Sequence, residues 1–302
     1  MKRTLAGLSL ASFGVACAFV VSTSHLSAQS LGVATDYNYL VFGNATLQNS
    51  DAEGRVAVGG NANYSNYGIG DKLPAGSRGY SLVVGGNLTY GNGQVFEGDV
   101  IYGGTLNAGQ SFNVRNGSLI QGQYLDFSAA RNQLTSFSSS LSQLEATGSF
   151  LNEYGTLVFT GTDPNLNTFT IQASDISNSH GIRISAPEGS TVLINVAGAS
   201  VDWKNMGINL SGTDKQRVLY NFYEATSLNI ASISVQGSVL APNADVTFNY
   251  GNLEGTLVAN NLSGTGEFHH YAFQGTLIPV PEPSSALLAL LAGGIVLLRR
   301  KR

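Results

Sequence analysis

Glu53-Gly54-Arg55-Val56-Ala57-Val58-Gly59-Gly60 is the stretch that decides the fold. A glycine and a polar residue precede three apolar ones, and a Gly-Gly pair closes the run. The first part recurs as Glu97-Gly98-Asp99-Val100-Ile101-Tyr102 and Asn116-Gly117-Ser118-Leu119-Ile120-Gln121. Late in the chain it returns as Gln236-Gly237-Ser238-Val239-Leu240-Ala241, Glu254-Gly255-Thr256-Leu257-Val258-Ala259 and Gln274-Gly275-Thr276-Leu277-Ile278-Pro279. The glycines are spaced 19 (Gly98 to Gly117), 18 (Gly237 to Gly255) and 20 (Gly255 to Gly275) residues apart. A period near 20 is the lower end for solenoids, in which each repeat is one rung stacked on the next. Short apolar strands then form the faces, and glycines take corners that need φ > 0.

Gly-Gly turns form a second series: Val58-Gly59-Gly60-Asn61, Val84-Gly85-Gly86-Asn87 and Tyr102-Gly103-Gly104-Thr105. Asn and Thr stacked at such turns can bond the neighbouring rung. The spacing predicts a mainly β chain, an irregular right-handed parallel β-helix; the alternative is an antiparallel sandwich with recurrent hairpins.

One segment has a different period. Phe127, Ala130, Leu134, Phe137, Leu141 and Leu144 are spaced 3, 4, 3, 4 and 3, an apolar stripe on a helix. The expectation is one long α-helix at about 126–147, capped by Asp126 or Ser128 and by Gly148, laid along an apolar flank of the β-helix. Binding of a partner by that helix is the other reading. Strand-like runs resume at Thr156–Thr160, Thr168–Gln172, Thr191–Val196 and Val218–Phe222. They are expected to be longer rungs that enclose the early coils within one domain spanning 29–279.

Composition agrees. Only 11% of the 302 residues are charged, against roughly 25% in an average soluble protein. Helical bundles coat their exposed faces with Lys, Glu and Arg, and disordered chains are poor in apolar residues; this chain has 43% hydrophobic residues and 37 glycines. Six of the fifteen basic residues lie at the extreme ends, so residues 29–283 hold nine basic against nineteen acidic side chains, a balance of −10. Such a surface repels phosphate backbones and argues against nucleic-acid binding. The single cysteine, Cys17, lies in the N-terminal apolar run, so the remainder has neither disulfide nor thiolate metal site.

The ends read as addresses. Lys2 and Arg3 precede an apolar run from Leu5 to Val21, then polar Ser22 to Ser27 and small Ala28. That is the plan of a secretory signal peptide over 1–28, cleaved near Ala28; an N-terminal anchor is the alternative. A lipoprotein signal does not fit Gly14-Val15-Ala16-Cys17, because glycine stands where a bulky aliphatic residue is wanted. At the other end, Pro281-Glu282-Pro283 is followed by an apolar run from Ala286 to Leu298 and by Arg299-Arg300-Lys301-Arg302. A helix of that length reaches about 20 Å, short of a ~30 Å hydrocarbon core. The basic cluster would hold its end on the cytoplasmic side. Apolar helices are thus expected at both termini.

The triplet, the brief apolar helix and the terminal arginines at residues 280–302 resemble the PEP-CTERM sorting signal of Gram-negative bacteria. The resemblance implies processing by an exosortase-type membrane peptidase, transient anchoring in the inner membrane, and release to the cell surface or extracellular matrix. An ordinary tail anchor is the alternative. Leu31 to Asn38, Asp51 to Gly60, Val239-Leu240-Ala241-Pro242-Asn243-Ala244 and Gly264-Thr265-Gly266-Glu267-Phe268-His269-His270 resemble, in the expected order, the choice-of-anchor A domain of bacterial surface proteins. That resemblance implies a β-helical surface domain with an adhesive or matrix role; it does not itself imply a ligand or a catalytic site, and no cofactor is expected. His270 stands where relatives carry Asn.

Candidate chemistry is sparse. Glu267 and His269, near Asp245 and Glu254 if rungs stack at 18 to 20 residues, could form a weak metal site or an acid/base pair. Alternation places His270 on the opposite face, and a structural role at the final coil is the simpler reading. Asp51 with Glu53, and Glu97 with Asp99, offer oxygen ligands to Ca²⁺ but lack the dense Asp/Gly spacing of a calcium loop. No nucleophile elbow, P-loop, dinucleotide fingerprint or zinc-protease motif occurs. Asn-x-Ser/Thr sequons, among them Asn44, Asn87, Asn116, Asn209 and Asn261, carry little weight in a bacterial chain. Seven tyrosines between Tyr37 and Tyr102 either bind sugars or partners or fill the coils. The leading expectation is a non-enzymatic exported protein that binds extracellular polysaccharide or cell-surface components. The alternatives are a polysaccharide-acting enzyme, or ice binding, for which Thr168-Phe169-Thr170 has the Thr-x-Thr form.

Overall fold

A computed structural model describes residues 31–277. Ala28, Pro281, Glu282, Pro283, Arg299, Arg300, Lys301 and Arg302, and with them both terminal helices, lie outside the described residues. Among the described residues no helix is long and apolar enough to cross a membrane.

The β structure starts in the middle of a stack of rungs. From there β1 (Tyr39–Val41), β2 (Ala45–Ala52), β3 (Val56–Val58), β4 (Ala62–Ile69), β5 (Tyr80–Val84), β6 (Leu88–Val95), β7 (Asp99–Tyr102), β8 (Leu106–Val114) and β9 (Leu119–Gln121) run to one end. Helix α1 (Phe127–Leu141) carries the chain back along the stack. The far end opens with β10 (Ser149–Glu153), β11 (Thr156–Thr160), β12 (Leu166–Gln172) and a short α2 (Ala173–Ser177). Rungs then return to the middle through β13 (Gly181–Ser185), β14 (Thr191–Ala197), β15 (Ser200–Lys204), β16 (Gly207–Ser211), β17 (Val218–Asn221) and β18 (Ser227–Ala231). The last are β19 (Ser234–Val235), β20 (Ser238–Asn249), β21 (Asn252–Leu253), β22 (Leu257–Gly264) and β23 (Glu267–Phe268).

The result is a parallel β-solenoid with three faces. On the first, β9, β7, β5, β3 and β1 continue directly into β22, β20, β17, β14 and β12. On the second, β8, β6, β4 and β2 continue into the later parts of β22 and β20, then β18 and β15. The third pairs the ends of those first strands with β23, β21 and β19, and β11, β13 and β16 further along. The antiparallel pair β10–β11 closes the far end. The first half therefore stacks on the second; the later strands do not enclose the early coils as expected, because each half offers a complete rung edge to the other.

Inward positions alternate along each strand and fill the tube. Tyr39, Tyr64, Tyr67 and Tyr90 are fully buried among Leu and Val, as are Trp203, Tyr220 and Phe222 in the second half. Tyr39 and Tyr64 share a hydrogen bond of 2.9 Å between hydroxyls, and Tyr90 donates to the Tyr67 carbonyl at 2.8 Å. These tyrosines fill coils and cannot reach a ligand.

Outward positions of the first face are apolar as well: Ile101, Val83, Ala57, Leu40, Val258 and Leu240 form one column across the join. Ala130, Leu134, Phe137 and Leu141 of α1 cover it. At about 1.5–3 kcal/mol for a large apolar side chain, this burial is why a Ser- and Asn-rich helix forms there at all. Asp126 caps it by accepting from the Ala129 N–H at 2.9 Å. The helix ends at Leu141, earlier than expected. Gly148 is not its cap: the N–H groups of Thr147 and Gly148 both turn to the Thr168 carbonyl and protect the β12 edge.

The glycine corners split into two kinds. Gly98 (φ 80°) and Gly237 (φ 137°) have the positive φ anticipated. Gly59 and Gly85 do not; a Cβ on Gly85 would run into the Gly59 carbonyl, and one on Gly59 into that of Phe42. Close stacking of backbone, not φ, requires glycine there. Gln274 to Leu277 form no rung. The Gln274 N–H goes to the Gln216 carbonyl and the Thr276 N–H to Thr191 Oγ1, so this segment runs lengthwise over the β17 and β14 rungs.

Candidate functional site

The second face is long and flat, and its outward side chains are small and polar. One residue per rung forms the ladder Asp202, Asn229, Thr247, Ser263, Thr46, Asn63, Thr89, Asn107. Their inward neighbours, such as Trp203, Ile230, Phe248, Leu47, Tyr64 and Tyr90, are buried and fix the register, because a one-residue slip would turn them to solvent. At strand spacing the eight rungs extend about 34 Å. Seven of the eight residues carry no charge. Asp202, at the far end, accepts from Asn229 Nδ2 at 2.9 Å and pairs with Lys204 at 3.1 Å.

A second ladder edges this face. Asn44 N–H donates to Asn261 Oδ1 at 2.7 Å, Asn61 N–H to Asn44 Oδ1 at 2.8 Å, Asn87 N–H to Asn61 Oδ1 at 2.9 Å, and Thr105 N–H to Asn87 Oδ1 at 2.8 Å. Each amide oxygen satisfies a backbone donor of the next rung, as Asn61 and Asn87 after their Gly-Gly turns suggested. Asn44, Asn61 and Asn87 are exposed, so the face gains a margin of amide groups. Asp245 belongs to this edge, where it accepts from Asn260 and Asn261 at 2.8 and 2.7 Å. It is thus remote in role from Glu267 and His269, with which the rung spacing grouped it.

Glu267 and His269 do come together, at the join between the halves. His269 Nδ1 lies 2.6 Å from Glu254 Oε1 and its Nε2 3.2 Å from Glu267 Oε1. Glu254, almost fully buried, is also held by Lys215 at 2.5 Å and by the Asn252 amide. Burial alone would lower the His269 pKa, but the hydrogen bond and charge of Glu254, then Glu53 and Glu267, outweigh it and hold the imidazolium above its usual range. The Lys215 ammonium already neutralises Glu254, so this is an ion-pair clasp. Among the described residues no three His, Cys, Asp or Glu side chains are arranged to hold a metal ion. The His270 N–H donates to Glu53 Oε2 at 2.8 Å, and the His269 carbonyl accepts from Asn38 Nδ2 at 2.7 Å. Both bonds tie the last coil to the first.

Of the oxygen pairs considered for Ca²⁺, Glu97 and Asp99 brace turns. Glu97 accepts from the Gly76 N–H at 2.9 Å and from Asn116 Nδ2 at 2.8 Å; Asp99 accepts from the Ser118 N–H at 2.7 Å. Thr168 lies on the first face, buried beneath the α1 side, so Thr168-Phe169-Thr170 is no part of the flat face. The ladder has no Thr-x-Thr signature because its members come one per rung. Steps of 17, 26 and 18 residues separate Thr46, Asn63, Thr89 and Asn107.

A family model described as "Putative Ice-binding-like adhesive domain" matches residues 30–270. The chain belongs to this family. Among solved structures, an ice-binding protein from an Antarctic biological consortium is 13% identical, with 88% of this chain and 94% of that one covered at a TM-score of 0.39. An ice-binding protein from the Antarctic ascomycete Antarctomyces psychrotrophicus is 16% identical, with coverage of 83% and 100% and a TM-score of 0.35. No curated protein matches the chain.

Proposed function

We propose that the chain is an exported, non-enzymatic adhesive protein whose second face docks onto hydroxyl-rich surfaces, foremost the polysaccharide of an extracellular matrix. The observation that carries this reading is the uncharged run from Asn229 to Asn107, seven rungs of hydroxyl and amide groups on a rigid support. Backbone hydrogen bonds and buried aromatics hold those groups in place before contact, which keeps the entropic cost of binding low. Membership of an adhesive family supports the same reading. The resemblance of residues 280–302 to a PEP-CTERM signal adds a route: export, brief anchoring in the inner membrane, processing by an exosortase-type peptidase, and release to the cell surface or matrix.

Ice binding is the second reading, favoured by the family description and by Thr46, Thr89 and Thr247 within the ladder. One preparation separates the two. The purified protein should sediment with insoluble exopolysaccharide, release no reducing ends, and lose about tenfold or more in affinity in Asn63→Arg, which plants a long charge mid-face. Thermal hysteresis that Asn63→Arg abolishes, without polysaccharide binding, would move the assignment to ice. Release of reducing ends would overturn the non-enzymatic reading.

A further inference from the structure

Past the flat face the β2 rung bends at Asn49 (φ 54°) and the β4 rung at Asn66 (φ 51°) into the third face. There the outward column reads Asp51, Gly68, Gln94, Asn113. Ala52 pairs with Phe268, which sets Asp51 beside Glu267 on its other side. Gly68 leaves this column one side chain short. A Cβ there would sit 3.2 Å from Asp51 Cβ and 3.3 Å from Phe96 Cε2, so its absence forms the floor of a slot. Glycine inside a strand commonly marks such a close approach.

A cavity of about 510 Å³ opens over that floor, walled by Asp51, Asp71, Asn66, Gln94, Phe96 and Asn113. A second, of about 440 Å³, shares Asn49, Ser50 and Asp51 and extends it toward Tyr250 and Thr265. Together they make a groove across the rungs on both sides of the join. Two of its acceptors, Asp51 Oδ1 and Asp71 Oδ1, are buried without a hydrogen-bond partner, an arrangement that costs stability unless a donor arrives. The other oxygen of Asp71 is held by Lys72 at 2.8 Å. At one end Phe96 offers a ring edge within the wall. At the other, Tyr250 is 77% exposed and held at φ 53°, a conformation that costs a bulky residue energy and collects at binding sites.

Carboxylate and amide acceptors at the sides, ring surfaces at the ends and a floor of bare backbone are the chemistry that takes a pyranose chain. Hydroxyls donate to the Asp51 and Asp71 carboxylates, a turn of each side chain bringing its orphaned oxygen out to the groove, amides bridge neighbouring hydroxyls, and CH faces lie on the rings. Asp51, Asp71, Glu53 and Glu267 crowd the groove with negative charge, and burial and these neighbours push the Asp51 carboxyl up to about 6. A polyuronate would meet like charge. We propose that this groove binds a single chain of non-acidic polysaccharide, with Asp51 and Asp71 accepting from its hydroxyls above Gly68. The proposal rests on the adhesive reading and supplies the specific contact that a flat polar face lacks.

The test uses the intact protein in calorimetric titrations with cellohexaose, laminarihexaose and maltohexaose, and with an alginate hexasaccharide as the acidic contrast. At least one neutral oligomer should bind, the alginate oligomer about tenfold or more weakly. Gly68→Val, which fills the floor with a strand-favouring side chain, should remove binding, and its melting temperature is measured alongside because the new Cβ presses on Asp51 and Phe96. If that variant is unstable, Asp71→Asn and Gln94→Ala serve, each expected to weaken binding about tenfold, the worth of one to two hydrogen bonds. Stable variants that bind as wild type overturn the groove, and so does a wild type that binds none of the neutral oligomers. Sedimentation with insoluble polysaccharide distinguishes the two levels. If it persists in Gly68→Val but fails in Asn63→Arg while oligomers do not bind, the adhesive face stands and the groove falls. If wild type does not sediment either, both fall.

Discussion

Asn221→Ala should test how α1 is fastened to the solenoid. Asn221 and Asn195 sit side by side on β17 and β14, fully buried beneath the helix. Asn221 Nδ2 donates to the Ser138 carbonyl at 2.9 Å and to Asn195 Oδ1 at 2.8 Å, and its Oδ1 accepts from Ser138 Oγ at 2.6 Å. Asn195 Nδ2 continues the chain to the Leu141 carbonyl at 2.9 Å. Truncation at 221 strands Asn195 Oδ1, worth about 1–3 kcal/mol for a buried acceptor. The Ser138 carbonyl keeps the Ser142 N–H at 3.2 Å, and the Ser138 hydroxyl can turn to a carbonyl one turn back. The vacated volume adds about 1 kcal/mol. The expected total is about 2–4 kcal/mol, read from urea unfolding followed by circular dichroism at one pH. In a cycle with Asn195→Ala the double variant should cost about 1–2 kcal/mol less than the two singles together, because the second truncation removes the group the first one stranded. A cost under about 1 kcal/mol, or strict additivity, would refute the view that this amide chain clamps the helix.

Leu134→Ala empties a buried position between α1 and the apolar column and should cost about 2–5 kcal/mol in the same assay. Gly85→Ala drives a Cβ into the Gly59 carbonyl and should lower the melting temperature sharply. Gly76→Ala, where a Cβ meets nothing but φ is 76°, should cost only about 1–2 kcal/mol. Stability should also fall with rising pH. The folded chain holds a proton more tightly than the unfolded one at Asp51, whose contribution is lost between pH 3.8 and about 6, and at His269, whose contribution is lost above 6.5. Melting curves from pH 4 to 9 should show both steps. Asp51→Asn should flatten the lower and His269→Gln the upper; a profile unchanged in both variants would refute the assignment.

The rung was legible because its residues are local: glycine, polar residue, strand, Gly-Gly turn. The helix was legible because 3.6-residue periodicity survives among serines, although its last turn was not, since the Thr168 carbonyl claims the N–H groups of Thr147 and Gly148. The order of rungs was hidden. Nothing in the strand pattern of β1 says that β22 completes its edge, because either neighbour supplies the same backbone partners. The buried amides of Asn195 and Asn221 read as interruptions in apolar strands. The groove depends on a missing Cβ at Gly68, and that becomes visible only when Asp51 and Gln94 stand on either side of it.

The join in the middle of the stack has a temporal side. The bond from His270 to Glu53 closes a loop of 217 residues, and until it forms, β1 and β2 present an open edge of backbone donors and acceptors. Contacts this distant are slow to find, and a chain synthesised from its amino end makes its own partner strands last. Premature pairing of that edge with another molecule is the hazard of such a path. The helix cannot guard that edge alone, because its Ser138 and Leu141 carbonyls are fastened to Asn221 and Asn195 of rungs still to come, so the polar outward columns of the second and third faces are what discourage a neighbour until the closing rungs arrive.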